Sequence, residues 1–188
     1  YQLSGDYNEK SYKADGDNRL LWRMSPRRMD VEAWRDSLLF VTGELDSSLG
    51  GPSHHNITET KRRTLYAKVG RNGDDFGSDV FLRLFDFPLM RSTVEQRPSS
   101  IVPQQYLFFM NSPFMFDQAK ALAARLHSLS DSNEDRIKHA YELLYARDPE
   151  PAELELGLSF VDEPCAIQSD PSGICRVTKY WICIYANK

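Results

Sequence analysis

Cysteine is scarce in this 188-residue chain: Cys165, Cys175 and Cys183 are the three present, all in the last quarter. None stands in a C-x-x-C or C-x-x-C-H spacing, so neither a zinc knuckle nor a covalently attached haem is encoded. A Cys165–Cys175 disulfide and three free thiols both stay open, because pairing depends on compartment. Long apolar runs are missing too. None approaches the roughly 20 residues that a membrane-crossing helix needs, so no span is expected. There is no basic excess either, with 23 Lys and Arg against 27 Asp and Glu, a net charge of −4 and a pI near 5.6. The arginines are scattered among acids, which argues against a nucleic-acid partner.

Catalytic and metal signatures are equally thin. No G-x-S-x-G occurs, and the four histidines, His54, His55, His127 and His139, stand in loop or helix-surface contexts, so a Ser–His–Asp arrangement has no support. His54 and His55 are adjacent on a polar loop with no third His or Cys near in sequence, and no metal site is expected. Asp15-Gly16-Asp17-Asn18 resembles the start of a calcium loop but lacks the sixth-position Gly and the closing Glu, so it reads as a solvated turn. No cofactor motif is present. The chain opens without Met or a charged-then-apolar leader, and is expected to be a fragment or a processed form.

What is present suits one globular unit: 41% hydrophobic and 27% charged residues, in a chain long enough to bury a sizeable core. Three segments are expected: a polar lead-in over 1–17, a helical domain over 18–161, and a Cys-containing tail over 162–188. The most informative stretch is 95–116, EQRPSSIVPQQYLFFMNSPFMF. Pro98 keeps Arg97 extended, Pro103 is pre-set for a first helical turn with Ser99 or Ser100 as cap, and Asn111-Ser112-Pro113 closes that helix and opens the next. A helix over 104–110 has almost no polar face, which predicts a central, interior helix.

Around it, apolar positions at three- and four-residue steps predict a helix from about Pro26 to Leu45. Its Arg28, Glu32, Arg35 and Asp36 are read as a solvated, salt-bridged face. Helices are also expected from Pro113 to about Leu129, from Glu134 to a stop at Arg147-Asp148-Pro149, and from Pro151 to about Val161. Alternation over Arg62–Val69 predicts a strand, and Val80–Phe87 is either its partner or a short helix. Asn56-Ile57-Thr58 matches a glycosylation sequon, and Val177–Tyr185 is strongly β-prone. The fold class expected is mainly α, a compact multi-helix domain with a small β-hairpin or short-strand element.

The segments NRLLWRMSPRRMDVEAWRDSLL, LGGPS, RRTLYAKVGR, FLRLFDFP, EQRPSSIVPQQYLFFMNSPF, QAKALAARL and RIKHAYELLYARDPEPAELELGLSF stand in this order over Asn18 to Val161. Together they resemble a planctomycete-specific domain of unknown function. In that family the domain lies C-terminal in large proteins that often carry a cytochrome-c-like segment. The resemblance implies an exported, multidomain parent protein, with neighbouring domains of the same chain as partners. It brings no activity and no catalytic residues. Residues 162–188 depart from the family pattern, and its haem motif is absent.

Three functions follow as expectations. The first is a non-catalytic structural or interaction domain, with Glu95, Arg97, Gln104, Gln105 and Asn111 forming a polar clamp in which Glu95, Glu44 or Asp36 pairs with Arg97. The second is a hydrolase acting on a carbohydrate or ester, with a carboxylate from Glu95, Asp86 or Asp117 and an arginine such as Arg97 beside it. The third, implied by the resemblance alone, is a docking partner of a neighbouring haem domain.

Overall fold

The computed structural model describes residues 3–25 and 27–162. The three cysteines, whose pairing the sequence leaves open, and the β-prone segment 177–185 lie outside the described residues. Among those described there are seven α-helices in the order α1 (Glu9–Ala14), α2 (Val31–Thr42), α3 (Gly77–Leu84), α4 (Pro103–Asn111), α5 (Pro113–Leu129), α6 (Asn133–Tyr145) and α7 (Pro151–Asp162). α2 packs on α5, α5 on α6, and α6 on α7.

The ends of these helices follow local chemistry. α2 starts at Val31 with Asp30 at its N-cap, five residues beyond the Pro26 that the sequence suggested. It stops at Gly43, whose φ of 78° no other residue type adopts as cheaply. The Arg125 guanidinium from α5 donates to the carbonyls of Phe40 (3.0 Å) and Val41 (2.5 Å), satisfying the end of α2 from outside. A Cβ at Gly43 would meet Arg125 Cδ at an ordinary 3.7 Å, so Gly43→Ala carries a conformational cost alone. Its expected effect is a loss of about 1 kcal/mol, read as a shift of the urea midpoint at unchanged slope.

The expected β-hairpin is absent among the described residues. Thr64–Tyr66 forms a 3-10 turn, and the region holds only two isolated parallel bridges, Asp46 with Arg62 and His54 with Ala67. The cause is α2, whose side chains capture this segment: the Asp36 carboxylate accepts from the N–H and hydroxyl of Thr64, both at 2.7 Å. A backbone tied to a helix surface in this way is not free to pair along a strand. Of the two readings open for Val80–Phe87, the short helix holds for residues 80–84, which lie in α3. There the Asp79 carboxylate reaches back to the N–H of Phe76 at 3.1 Å and also takes the N–H of Gly70 at 3.0 Å, fixing the first turn. Phe81, Leu82 and Phe85 then fall on one buried side.

The interior has three apolar clusters. Val31, Ile57, Phe81, Leu82 and Phe85 form one; Leu38, Leu39, Phe114 and Met115 a second; Leu122, Leu126 and Ala140 a third. Trp34, Phe108 and Phe109 pack against both the first and the second. α4 therefore differs from the interior helix expected of it. Phe108 and Phe109 turn inward, but Tyr106, Leu107 (57% exposed) and Met110 (55%) face out, and Gln105 is the residue that is buried. An all-round apolar sequence fills a core only where other elements surround it, and among the described residues α4 is covered on one side.

Candidate functional site

The residues named from the sequence do not converge. Glu95 is exposed and makes no hydrogen bond or ion pair among the described residues, and Gln104 is exposed. Asn111 donates to the Leu107 carbonyl within its own helix at 2.9 Å. Arg97 is paired, but not with Glu95, Glu44 or Asp36: its two terminal nitrogens each lie 2.8 Å from a Glu32 oxygen on α2, Asp30 stands at 3.5 Å, and the Phe87 ring lies 5.2 Å below. Burial works to raise the Glu32 pKa, but the Arg97 hydrogen bonds, a backbone hydrogen bond and the Arg97 charge together outweigh it, leaving the carboxyl below its usual range. The same bonds raise the Arg97 pKa.

A separate knot ties the end of α3 to the entrance of α4. Asp86, with a positive φ of 65°, accepts from the N–H of Ser100 at 2.9 Å and from its hydroxyl at 2.5 Å. Arg28 donates to the Ser100 carbonyl and, at 3.1 Å, to the Gln105 side-chain oxygen. The Gln105 amide then donates to the Leu84 carbonyl at 2.9 Å. Of the five clamp residues only Gln105 sits in this buried knot, and Asp86 is committed to holding backbone. A carboxylate saturated by structural donors is poorly placed for acid–base work.

The histidine pair is split. His54 joins the backbone bridge, its N–H on the Tyr66 carbonyl at 2.8 Å, while the His55 ring meets Phe76 edge-on at 5.1 Å. Among the described residues no three His, Cys, Asp or Glu side chains are grouped to hold a metal. Asn56 of the sequon caps a 3-10 turn, accepting from Thr58 and donating to Glu59 at 2.7 Å.

Two features have no local sequence signal. The first is Arg35, fully buried rather than solvated. It donates to the carbonyls of Ile57 (2.5 Å), Thr60 (2.6 Å) and Arg62 (2.9 Å) and to the Thr64 hydroxyl (3.1 Å), with Asp36 at 3.6 Å. Burial pushes its pKa down to about 10, so it stays charged at neutral pH. The second is a cleft of about 400 Å³ between the loop after α2, residues 58–61 and the start of α5. Glu44, Glu59, Lys61, Asp117 and Gln118 line it, with Thr58, Thr60, Ser112, Pro113 and Phe114. Glu44 accepts from Lys61 at 2.6 Å and from Gln118 at 3.0 Å, and Gln118 accepts from Thr42 at 2.8 Å. Of the candidate catalytic residues named from the sequence, Asp117 alone reaches this cleft, and it is exposed there without a hydrogen-bond partner among the described residues.

His127, near the end of α5, has a buried Nε2 without a partner among the described residues, and its pKa is lowered by burial and by Arg136. A base whose folded pKa lies below its unfolded value of 6.5 favours folding fully above that value and loses the contribution as pH falls below it. The expected result is a urea midpoint that drops between about pH 7 and pH 5, with a shallower drop in His127→Phe. Equal slopes in the two proteins would remove His127 as the cause.

With this geometry in place, one comparison is decisive. A family model described as PSD1, a protein of unknown function (DUF1553), matches residues 1–161. The chain belongs to this family. No curated protein and no solved structure matches the chain. The DUF1553 match includes α1 to α6 and all but the last residue of α7, and both the Arg35 hub and the cleft lie inside it.

Proposed function

We propose that this DUF1553 domain is a non-catalytic structural and interaction domain of an exported multidomain protein. The observation that carries the reading is the outer face of α4, where Tyr106, Leu107 and Met110 recur at helical spacing in a helix without a single charged side chain. Three partly buried carboxylates are committed to structural contacts instead. Asp86 holds Ser100, Glu32 holds Arg97, and both oxygens of Glu44 are taken by Lys61 and Gln118. The occupant we assign to the α4 face is the domain next to this one in the same polypeptide, its cytochrome-c-like segment included where one is present.

The test is a Leu107→Glu, Met110→Glu double variant. Both side chains are more than half exposed, so its thermal midpoint is expected within about 2 °C of the parent. Its association with the adjacent domain, expressed separately and measured by titration calorimetry, is expected to weaken at least tenfold, or by about 1.4 kcal/mol. Undiminished association would refute the assignment of this face.

A further inference from the structure

The cleft beside α5 is independent of the α4 face and has a chemistry of its own. Its rim mixes acceptors and donors: the free Asp117 carboxylate and Glu59, whose Oε1 takes only the Asn56 amide, stand with the Lys61 ammonium and the Ser112 hydroxyl. Its floor is set, because Gln118 is 4% exposed and its amide is locked between Thr42 and Glu44. Such a floor keeps one orientation and does not have to be ordered when a ligand arrives. A volume of about 400 Å³ falls in the range of small-molecule sites.

The lining selects among ligand classes. A metal ion is disfavoured because no three ligating groups gather among the described residues. A fully apolar ligand would strand Asp117 and Glu59 without water, which costs more than the contact returns. An anion would face Glu59 and Asp117 with Lys61 already committed to Glu44 at 2.6 Å. Hydroxyl groups fit, since each can donate to a carboxylate and accept from the Ser112 hydroxyl at once. We infer that the cleft between residues 58–61 and the first turn of α5 binds a neutral saccharide, with Asp117 and Glu59 as the acceptors for its hydroxyls. The role proposed is recognition, with no bond made or broken.

The test is a titration of the isotope-labelled full chain, followed by amide NMR, with the methyl glycosides of glucose, galactose, mannose and N-acetylglucosamine. A linear tetrasaccharide of whichever glycoside binds then separates free sugar from a polymer residue. The expected result is saturable shifts confined to amides of residues 58–61 and 112–118, with a Kd of about 1–10 mM for at least one glycoside. Asp117→Ala and Glu59→Gln are each expected to weaken binding at least fivefold. Asp117 is exposed and unbonded, so its variant keeps the fold, which the unchanged remainder of the spectrum verifies. The inference is overturned if none of the glycosides or their polymers gives saturable shifts at about 50 mM. It is overturned equally if Asp117→Ala leaves binding unchanged, or if 1,4-diaminobutane saturates these amides while every glycoside fails.

Discussion

Arg35→Met lowers the unfolding free energy by about 3–5 kcal/mol, among the largest effects expected of a single substitution in the domain. The guanidinium is sealed from solvent and serves three carbonyls and a hydroxyl spread over residues 57–64. Methionine fills much of the volume but leaves those four acceptors in the interior without donors, and it is the acceptors that make the loss large. Arg35→Lys is not a rescue. One ammonium cannot spread its donors over the same fork, so it is expected to recover less than half of the loss. At this chain length the Met variant should melt about 6–20 °C below the parent, measured by calorimetry or urea denaturation. A loss below about 1 kcal/mol would show that water replaces the guanidinium without cost, contradicting a dry hub.

Phe81→Ala is expected to cost about 3–5 kcal/mol. Phe81 is 4% exposed and its ring lies within 5.4–6.3 Å of the rings of Trp34, Phe85, Phe108 and Phe114. It therefore joins α2, α4 and α5 to its own helix α3. Phe81→Leu, which keeps most of the buried area, should lose about half as much, the remainder being geometry between rings. Trp34 offers a direct readout, because the Ala variant removes a ring stacked on it at an interplanar angle of 26°. A near-neutral Phe81→Ala would mean that the four neighbouring rings close over the gap, and that the cluster is not tightly packed.

These two residues mark what the sequence could and could not disclose. α5, α6 and α7 were readable because proline, serine and asparagine punctuate them and their apolar positions keep helical spacing. Phe81 sits in a short apolar run, where periodicity permits strand or helix, and the Asp79 cap to a backbone nine residues earlier decides the matter. Arg35 could not be found locally. Its reason for burial is a set of carbonyls 22–27 residues further on, and a charged residue on an amphipathic helix reads as solvated until those carbonyls are placed. Glu32 and Arg97 are 65 residues apart, so the acid nearest Arg97 in sequence was the natural but incorrect partner. The cleft draws on Glu44, on residues 58–61 and on residues 112–118, and only folding unites them. α4 failed in the opposite direction: composition showed how apolar the helix is, while exposure depends on what the rest of the chain leaves uncovered.

The segment before α2 has a consequence for how the molecule breathes. α1 is six residues long and buries none of them, and the side chains around it, Tyr7, Tyr12, Trp22 and Arg23, pack on one another. Opening such a unit exposes little apolar surface, so its free energy of opening lies near the bottom of the scale, whereas Leu39, Ala123 and Ala140, each fully sealed, open only with the whole domain. The domain thus has a graded edge. A protease or a neighbouring chain can engage residues 3–25 in an opened form many times before the helices behind them come apart.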